Sequence, residues 1–140
     1  MHETTATAPA RLDLAGGTLD IWPIHLLLPQ PGVTVNVALD TPSSARVEPL
    51  DAGRIRLVSE DRGEDVSFED VDALDRALAA GDAPLALLGR AVRAVAPAGG
   101  LALTTASRSP SGAGLGASSS LLVSVLAALE AAQGRGGEIR

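Results

Sequence analysis

Ser109-Pro110-Ser111-Gly112-Ala113-Gly114-Leu115-Gly116-Ala117-Ser118-Ser119-Ser120 is the stretch on which the reading of this chain turns. Ahead of it, Leu101 to Ser107 alternate in the two-residue period of a strand. Behind it, Leu121, Leu122, Val125, Leu126 and Leu129 recur on one side of a helix that runs from Ser118 to Gln133 and ends at Gly134, Gly136 and Gly137. Glycines at 112, 114 and 116 let backbone N–H groups come close to an anion, and the helix start adds unpaired N–H groups and the positive end of a dipole. Of the three hydroxyls in the first turn, one can cap the helix and another can face a phosphate-bound metal. A P-loop would need Lys before its Ser or Thr, and a dinucleotide fingerprint starting at Gly114 would need Gly or Ala at position 119, where Ser119 stands. A plain Gly/Ser turn into a capped helix is the other reading the bare pattern allows.

The surrounding composition narrows the chemistry. With 140 residues, 46% of them apolar and 20% charged, the chain has the make-up of one globular domain. A net charge of −6 opposes binding to a phosphate backbone, and with Trp22 and Phe68 the sole aromatics there is no platform for stacked bases. Nucleic acid is therefore not an expected partner. All eleven cations are arginine, so lysine chemistry of any kind is excluded. The absence of Cys rules out disulfides and thiolate metal sites and suits a reducing compartment. Met1 to Pro9 lacks a signal-peptide pattern, and the apolar run Leu115 to Ala132 is broken by serines and Glu130, which fits a buried helix and not a membrane span. The expectation is a soluble, cytoplasmic protein; no pattern sets an oligomeric state.

Upstream, Ala10 to Ala15 reads as a strand entering a turn at Gly16-Gly17. Val33 to Leu39 alternates as a second strand, and Ser44 to Leu50 and Arg54 to Glu60 as two more, joined as a hairpin by Asp51-Ala52-Gly53. Val66 to Phe68 adds a short one. Ser67 is the expected N-cap of a helix carrying Val71, Leu74 and Leu78 and stopped by Gly81. A second helix starts at Pro84 and presents Leu85, Leu88, Val92 and Val95. The carboxylates between Glu60 and Asp75 read as a solvated loop and helix start, and His25 as a partly buried residue near Trp22. Strands, two helices, then a strand feeding a glycine loop and a helix make an α+β fold.

Pro110 to Ser120 resembles the Pro-x-x-x-Gly-Leu-Gly-Ser-Ser-Ala signature of the GHMP kinases, the class of galactokinase, homoserine kinase, mevalonate kinase and phosphomevalonate kinase. Pro110, Gly114, Leu115, Gly116 and Ser118 fall on its positions, while Ala117 stands where the first serine usually is. A second stretch, Ala8-Pro9-Ala10-Arg11-Leu12-Asp13-Leu14-Ala15-Gly16-Gly17-Thr18-Leu19-Asp20, is similar to the opening motif of the sugar-directed members. The two occur in the family's order. Galactokinases have a Glu-His pair just before the Thr-Asp of that motif; the Ala-Gly-Gly form here looks more like the heptose kinase and fucokinase branch.

This resemblance implies the family's N-terminal nucleotide-binding domain, a ribosomal-protein-like two-layer α/β fold, spanning residues 1–140 and truncated before a C-terminal domain. It implies ATP bound along Pro110, Ser111, Gly112, Ala113, Gly114, Leu115, Gly116, Ala117, Ser118, Ser119 and Ser120, with magnesium at Ser118. By the same likeness Asp20 binds sugar hydroxyls and Arg11 stabilises charge on the transferred phosphate, while the catalytic aspartate lies outside these residues. The activity implied is ATP-dependent phosphorylation of a hydroxyl on a small molecule, a sugar above all; a sensor binding sugar and nucleotide without turnover is the alternative. The 140-residue stretch by itself is expected to be inactive, with an apolar outer face on its last helix.

Overall fold

A computed structural model describes residues 1–17, 19, 21–51, 53–81, 83, 85–109 and 114–135. Five strands form one mixed sheet: β1 (Thr4–Ala15), β2 (Val35–Leu50), β3 (Ile55–Ser59), β4 (Glu64–Phe68) and β5 (Gly100–Ser107). Three helices, α1 (Val71–Ala80), α2 (Ala86–Val95) and α3 (Ala117–Ala132), contribute to a single buried cluster with β2, β3 and β5. The strand order is β1-β2-β5-β3-β4, with β5 parallel to β3 and every other neighbour antiparallel. This is the two-layer α+β arrangement expected from the pattern of elements.

The ribbon of β1 and β2 is longer than the alternation suggests. Val33 to Leu39 and Ser44 to Leu50 were two strands by sequence, but they are parts of one 16-residue strand beginning at Val35. Pro9 faces Pro42, and neither can donate an N–H to the ladder. Just past that pair the register slips, from Pro9↔Pro42 to Ala10↔Leu39, so the strand is kinked there and not ended.

The expected hairpin between β2 and β3 does not form, because β5 lies between them. Gly100 makes this possible: a Cβ on it would come within 2.8 Å of Arg54 N, Arg54 O and Leu50 O. The strand enters through a gap that fits backbone alone, and Leu101 N–H then donates to Arg54 C=O at 2.8 Å. Leu101 and Leu103, with no exposed surface, sit at the centre of the core beside Val47, Leu57 and Leu129.

Two cap assignments differ from expectation. Ser67 lies within β4 opposite Arg56, and the N-cap of α1 is Asp70, whose carboxylate accepts the Ala73 N–H at 2.7 Å. Gly81 ends α1 in the left-handed conformation, φ +86°, as its position implied. Pro84, the expected start of the second helix, lies outside the described residues, as do Ala52, Gly136 and Gly137.

On the hairpin of β3 and β4, Arg56 grips Asp65 with two bonds, Nε to Oδ1 at 3.0 Å and Nη2 to Oδ2 at 2.6 Å. That hydrogen bonding holds the Asp65 carboxyl below the usual carboxylate range. The pair is exposed, so it fixes the hairpin's geometry more than its stability.

Helix α3 meets the sheet through small residues. Ser120, Ser124, Ala128 and Ala132, spaced four apart, are buried together with Val125 and Leu129. Leu121, Leu122 and Leu126 flank that stripe and are only partly covered. Ser124 satisfies its buried hydroxyl on Leu121 C=O at 2.8 Å, so no polar cost attaches to the close approach. The outer face of α3 exposes one large apolar side chain, Val123. The expected apolar outer face is found elsewhere: Leu14, Ile21, Trp22, Leu26, Leu27 and Val33 are exposed at the far end of the ribbon and in the segment after it. His25, in a single 3-10 turn there (Ile24–Leu27), is exposed and not partly buried.

Candidate functional site

The glycine loop joins the end of β5 to the start of α3, and both of its ends are tied to neighbouring strands. On entry, Arg108 N–H donates to Pro42 C=O at 3.2 Å, and the buried Ser109 hydroxyl lies 3.4 Å from Thr41 C=O. On exit, Leu115 C=O accepts the Arg11 N–H at 3.3 Å, and the Ser120 hydroxyl donates to Pro9 C=O at 2.9 Å. The loop is thus held between β2 and β1, and Ser120 serves as a tie between helix and strand. Pro110, Ser111, Gly112 and Ala113 lie outside the described residues.

Gly114 and Gly116 both have left-handed backbones, with φ of +70° and +65°. Side chains are strained there, which explains glycine at each position. A Cβ on Gly114 would meet nothing within 4 Å, and one on Gly116 would come no closer than 3.9 Å to Arg11 Cγ. The space a side chain would take is therefore open to solvent on the cleft side. Gly116 is itself the N-cap of α3, and no side chain caps the helix, contrary to the expectation that a serine would do so. The helical ladder opens with Ser120 N–H to Gly116 C=O at 2.9 Å, which leaves the amides of Ala117, Ser118 and Ser119 ahead of it at the positive end of a 16-residue helix.

Ser118 and Ser119 are exposed and look into different clefts. Ser119 faces an open cleft of about 450 Å³ with Ala8, Pro9, Arg11, Asp13, Gly114 and Gly116. Ser118 shares a wider one of about 720 Å³ with Asp61, Arg62, Ser107, Arg108 and Ser109. In the first cleft Arg11 Nε lies 3.5 Å from Asp13 Oδ1. The Asp13 carboxylate is crowded on its other side: a Cβ on Gly17 would sit 2.8 Å from its Oδ2. Glycine at 17 leaves that carboxylate its place.

Of the residues expected in the site, the structure brings Arg11, Gly114, Gly116, Ser119 and Ser120 to one cleft and turns Ala117 and Ser118 to the other; Asp20 lies outside the described residues. Two further polar residues stand beside the loop. Asp13 was legible in principle, since it lies two positions from Arg11 on a strand and so shares its face. Arg108 carried no such signal, because its place depends on where β5 ends. Among the described residues no cluster of three or more His, Asp or Glu could hold a metal, and no helix is long and apolar enough to cross a membrane.

The fold is that of small-molecule kinases. Residues 82–138 match the family model of the GHMP kinases N terminal domain. The structure is similar to a D-glycero-D-manno-heptose 1-phosphate kinase from Bacteriodes thetaiotaomicron, at 25% identity and a TM-score of 0.64 over 91% of this chain and 41% of that one. It is also similar to the mevalonate kinase of Methanococcus jannaschii, at 16% identity and a TM-score of 0.71, covering 92% of this chain and 40% of that one. A Lactococcus lactis galactokinase complexed with galactose gives 17% identity and a TM-score of 0.64, covering 93% and 32%. No match is found among curated protein sequences. Part of the chain, residues 82–138, thus matches the N-terminal domain of the GHMP kinases, and the chain spans less than half the length of these solved kinases.

Proposed function

We propose that this chain supplies the nucleotide loop and part of the acceptor site of a kinase that transfers the γ-phosphoryl group of ATP to a hydroxyl of a sugar. The observation that carries the reading is the pair of left-handed glycines, Gly114 and Gly116, open to a cleft at the uncapped start of α3. Three amides ahead of the helical ladder can donate to phosphate oxygens, and the helix dipole adds to their field. The loop is anchored at both ends, so it presents these donors with little rearrangement, which is what electrostatic stabilisation of a transferring phosphoryl group requires.

In the transfer, the acceptor oxygen bonds to the γ-phosphorus, the bond from phosphorus to the β–γ bridging oxygen breaks to release ADP, and the hydroxyl proton passes to solvent water or to a base outside the described residues. Arg11 lies in the cleft with Gly116 and Ser119, and its guanidinium is suited to charge building up on the equatorial oxygens. Asp13 lies beside it, with its Oδ1 3.5 Å from Arg11 Nε. Magnesium would arrive with the nucleotide and neutralise phosphate charge; the exposed Ser118 hydroxyl and the Asp61 carboxylate in the same cleft are the oxygen donors available to it. Support for a sugar acceptor comes from the N-terminal motif and from the heptose-phosphate kinase and galactokinase among the similar structures.

The test is sugar-dependent ADP release by the full-length gene product on a panel of hexoses, heptoses and deoxyhexoses. Asp20→Asn keeps shape but removes the charge that strengthens bonds to hydroxyls, so KM for the sugar should rise while that for ATP changes little. Equal weakening of both would contradict the division of roles, and no turnover on any sugar would contradict the acceptor class.

A further inference from the structure

The glycine loop is flanked by guanidiniums on both sides, and they differ in how their charge is balanced. On one side Arg11 faces Asp13 at 3.5 Å. On the other, Arg62 is paired with Glu64 at 2.6 Å, whereas Arg108 has no carboxylate partner among the described residues. Asp61 lines the same cleft and accepts the Ser59 hydroxyl at 3.2 Å. A nucleotide polyphosphate carries several negative charges, and a chain with no lysine must meet them with arginine or backbone dipoles. Arg108 opens the loop itself, its backbone is fixed by the bond to Pro42, and it shares its cleft with the Ser118 hydroxyl at the start of α3.

We infer that Arg108 is a phosphate-binding residue, contacting the polyphosphate of the nucleotide from the Ser118 side of the loop. The inference rests on the proposed nucleotide reading and adds to it a residue that the glycine signature does not contain. A guanidinium can hold two phosphate oxygens at once through its planar fork, a geometry that lysine lacks. Because Arg108 is exposed and its structural bond is made by its backbone, replacing the side chain leaves the fold's own contacts in place.

The experiment is calorimetric titration of the 140-residue chain with Mg-ATP and with adenosine, for wild type, Arg108→Gln, Arg108→Lys and Arg90→Gln. Arg90 is an exposed arginine on α2, away from both clefts, and controls for loss of charge alone. Loss of a charged hydrogen bond predicts that Arg108→Gln weakens Mg-ATP binding by about tenfold or more, with Arg108→Lys between it and wild type. Adenosine affinity and the Arg90→Gln values should not change, and the salt dependence of Mg-ATP binding should flatten in Arg108→Gln. Wild-type affinity for Mg-ATP in Arg108→Gln, or equal loss of adenosine binding, overturns the assignment. Failure of the folded wild-type chain to bind Mg-ATP overturns the nucleotide reading itself, and the role of Arg108 with it.

Discussion

At the scale of single residues, the decisive positions are those where backbone geometry and open space coincide. Gly116 combines φ of +65° with an unobstructed cleft side, so a substitution there acts twice. Gly116→Ala should cost roughly 1–2 kcal/mol of stability from the left-handed backbone alone. If the cleft side is where phosphate lies, the added methyl should weaken Mg-ATP binding by a larger factor than it weakens binding of adenosine. Thermal unfolding and calorimetry on the same preparation separate the two effects; a loss of stability with unchanged Mg-ATP affinity would remove Gly116 from the site. Ser120 illustrates the opposite outcome. It belongs to the serine run that the signature highlights, yet its hydroxyl is engaged with Pro9 C=O, and its burial follows from tying α3 to β1.

At the scale of elements, β5 is the strand on which the arrangement depends, and Gly100 is the residue that admits it. Gly100→Ala would force a Cβ to 2.8 Å from three backbone atoms, Leu50 O at the end of β2 and Arg54 N and O just before β3, none of which can rotate away as a side chain could. Overpacking of this kind costs about 1–3 kcal/mol, and a lowered urea midpoint with the same slope would show it. A midpoint equal to wild type would mean that β5 does not enter so tightly. The sequence made most of this level legible: alternation marked β3 and β5, helical spacing marked α1 and α2, and Gly81 marked a helix end. The strand order was not legible, because Asp51-Ala52-Gly53 looks the same whether β2 and β3 pair directly or make room for a third strand. The stripe of Ser120, Ser124, Ala128 and Ala132 was also hidden, since hydrophobic periodicity weights leucine and passes over the small residues that let a helix approach a sheet. At the site, the glycines and their strand–loop–helix setting could be read directly. The two clefts could not, since they arise from which sides of one helical turn Ser118 and Ser119 occupy.

At the scale of the whole molecule, the chain presents one well-packed sheet-and-helix core and an apolar ribbon end where Trp22 and Leu27 are 75% and 79% exposed. Exposed large apolar side chains close together in the sequence suit burial against another body. The chain spans 41% of the heptose-phosphate kinase it resembles. Phosphoryl transfer needs in-line positioning within a closed site, and the clefts beside the loop are open. The purified 140-residue chain should therefore give no sugar-dependent ADP release, while the full-length gene product does; robust turnover by the short chain would mean that its own carboxylates complete the site. The central claim, that the loop between β5 and α3 holds nucleotide phosphate through its backbone, is tested most directly by amide NMR of the chain titrated with Mg-ATP and, separately, with adenosine. The account predicts large shifts at the amides of Gly114, Gly116, Ala117, Ser118 and Ser119 that require the phosphates. Phosphate-dependent shifts confined to other parts of the chain, or none at all from a folded protein, would contradict it.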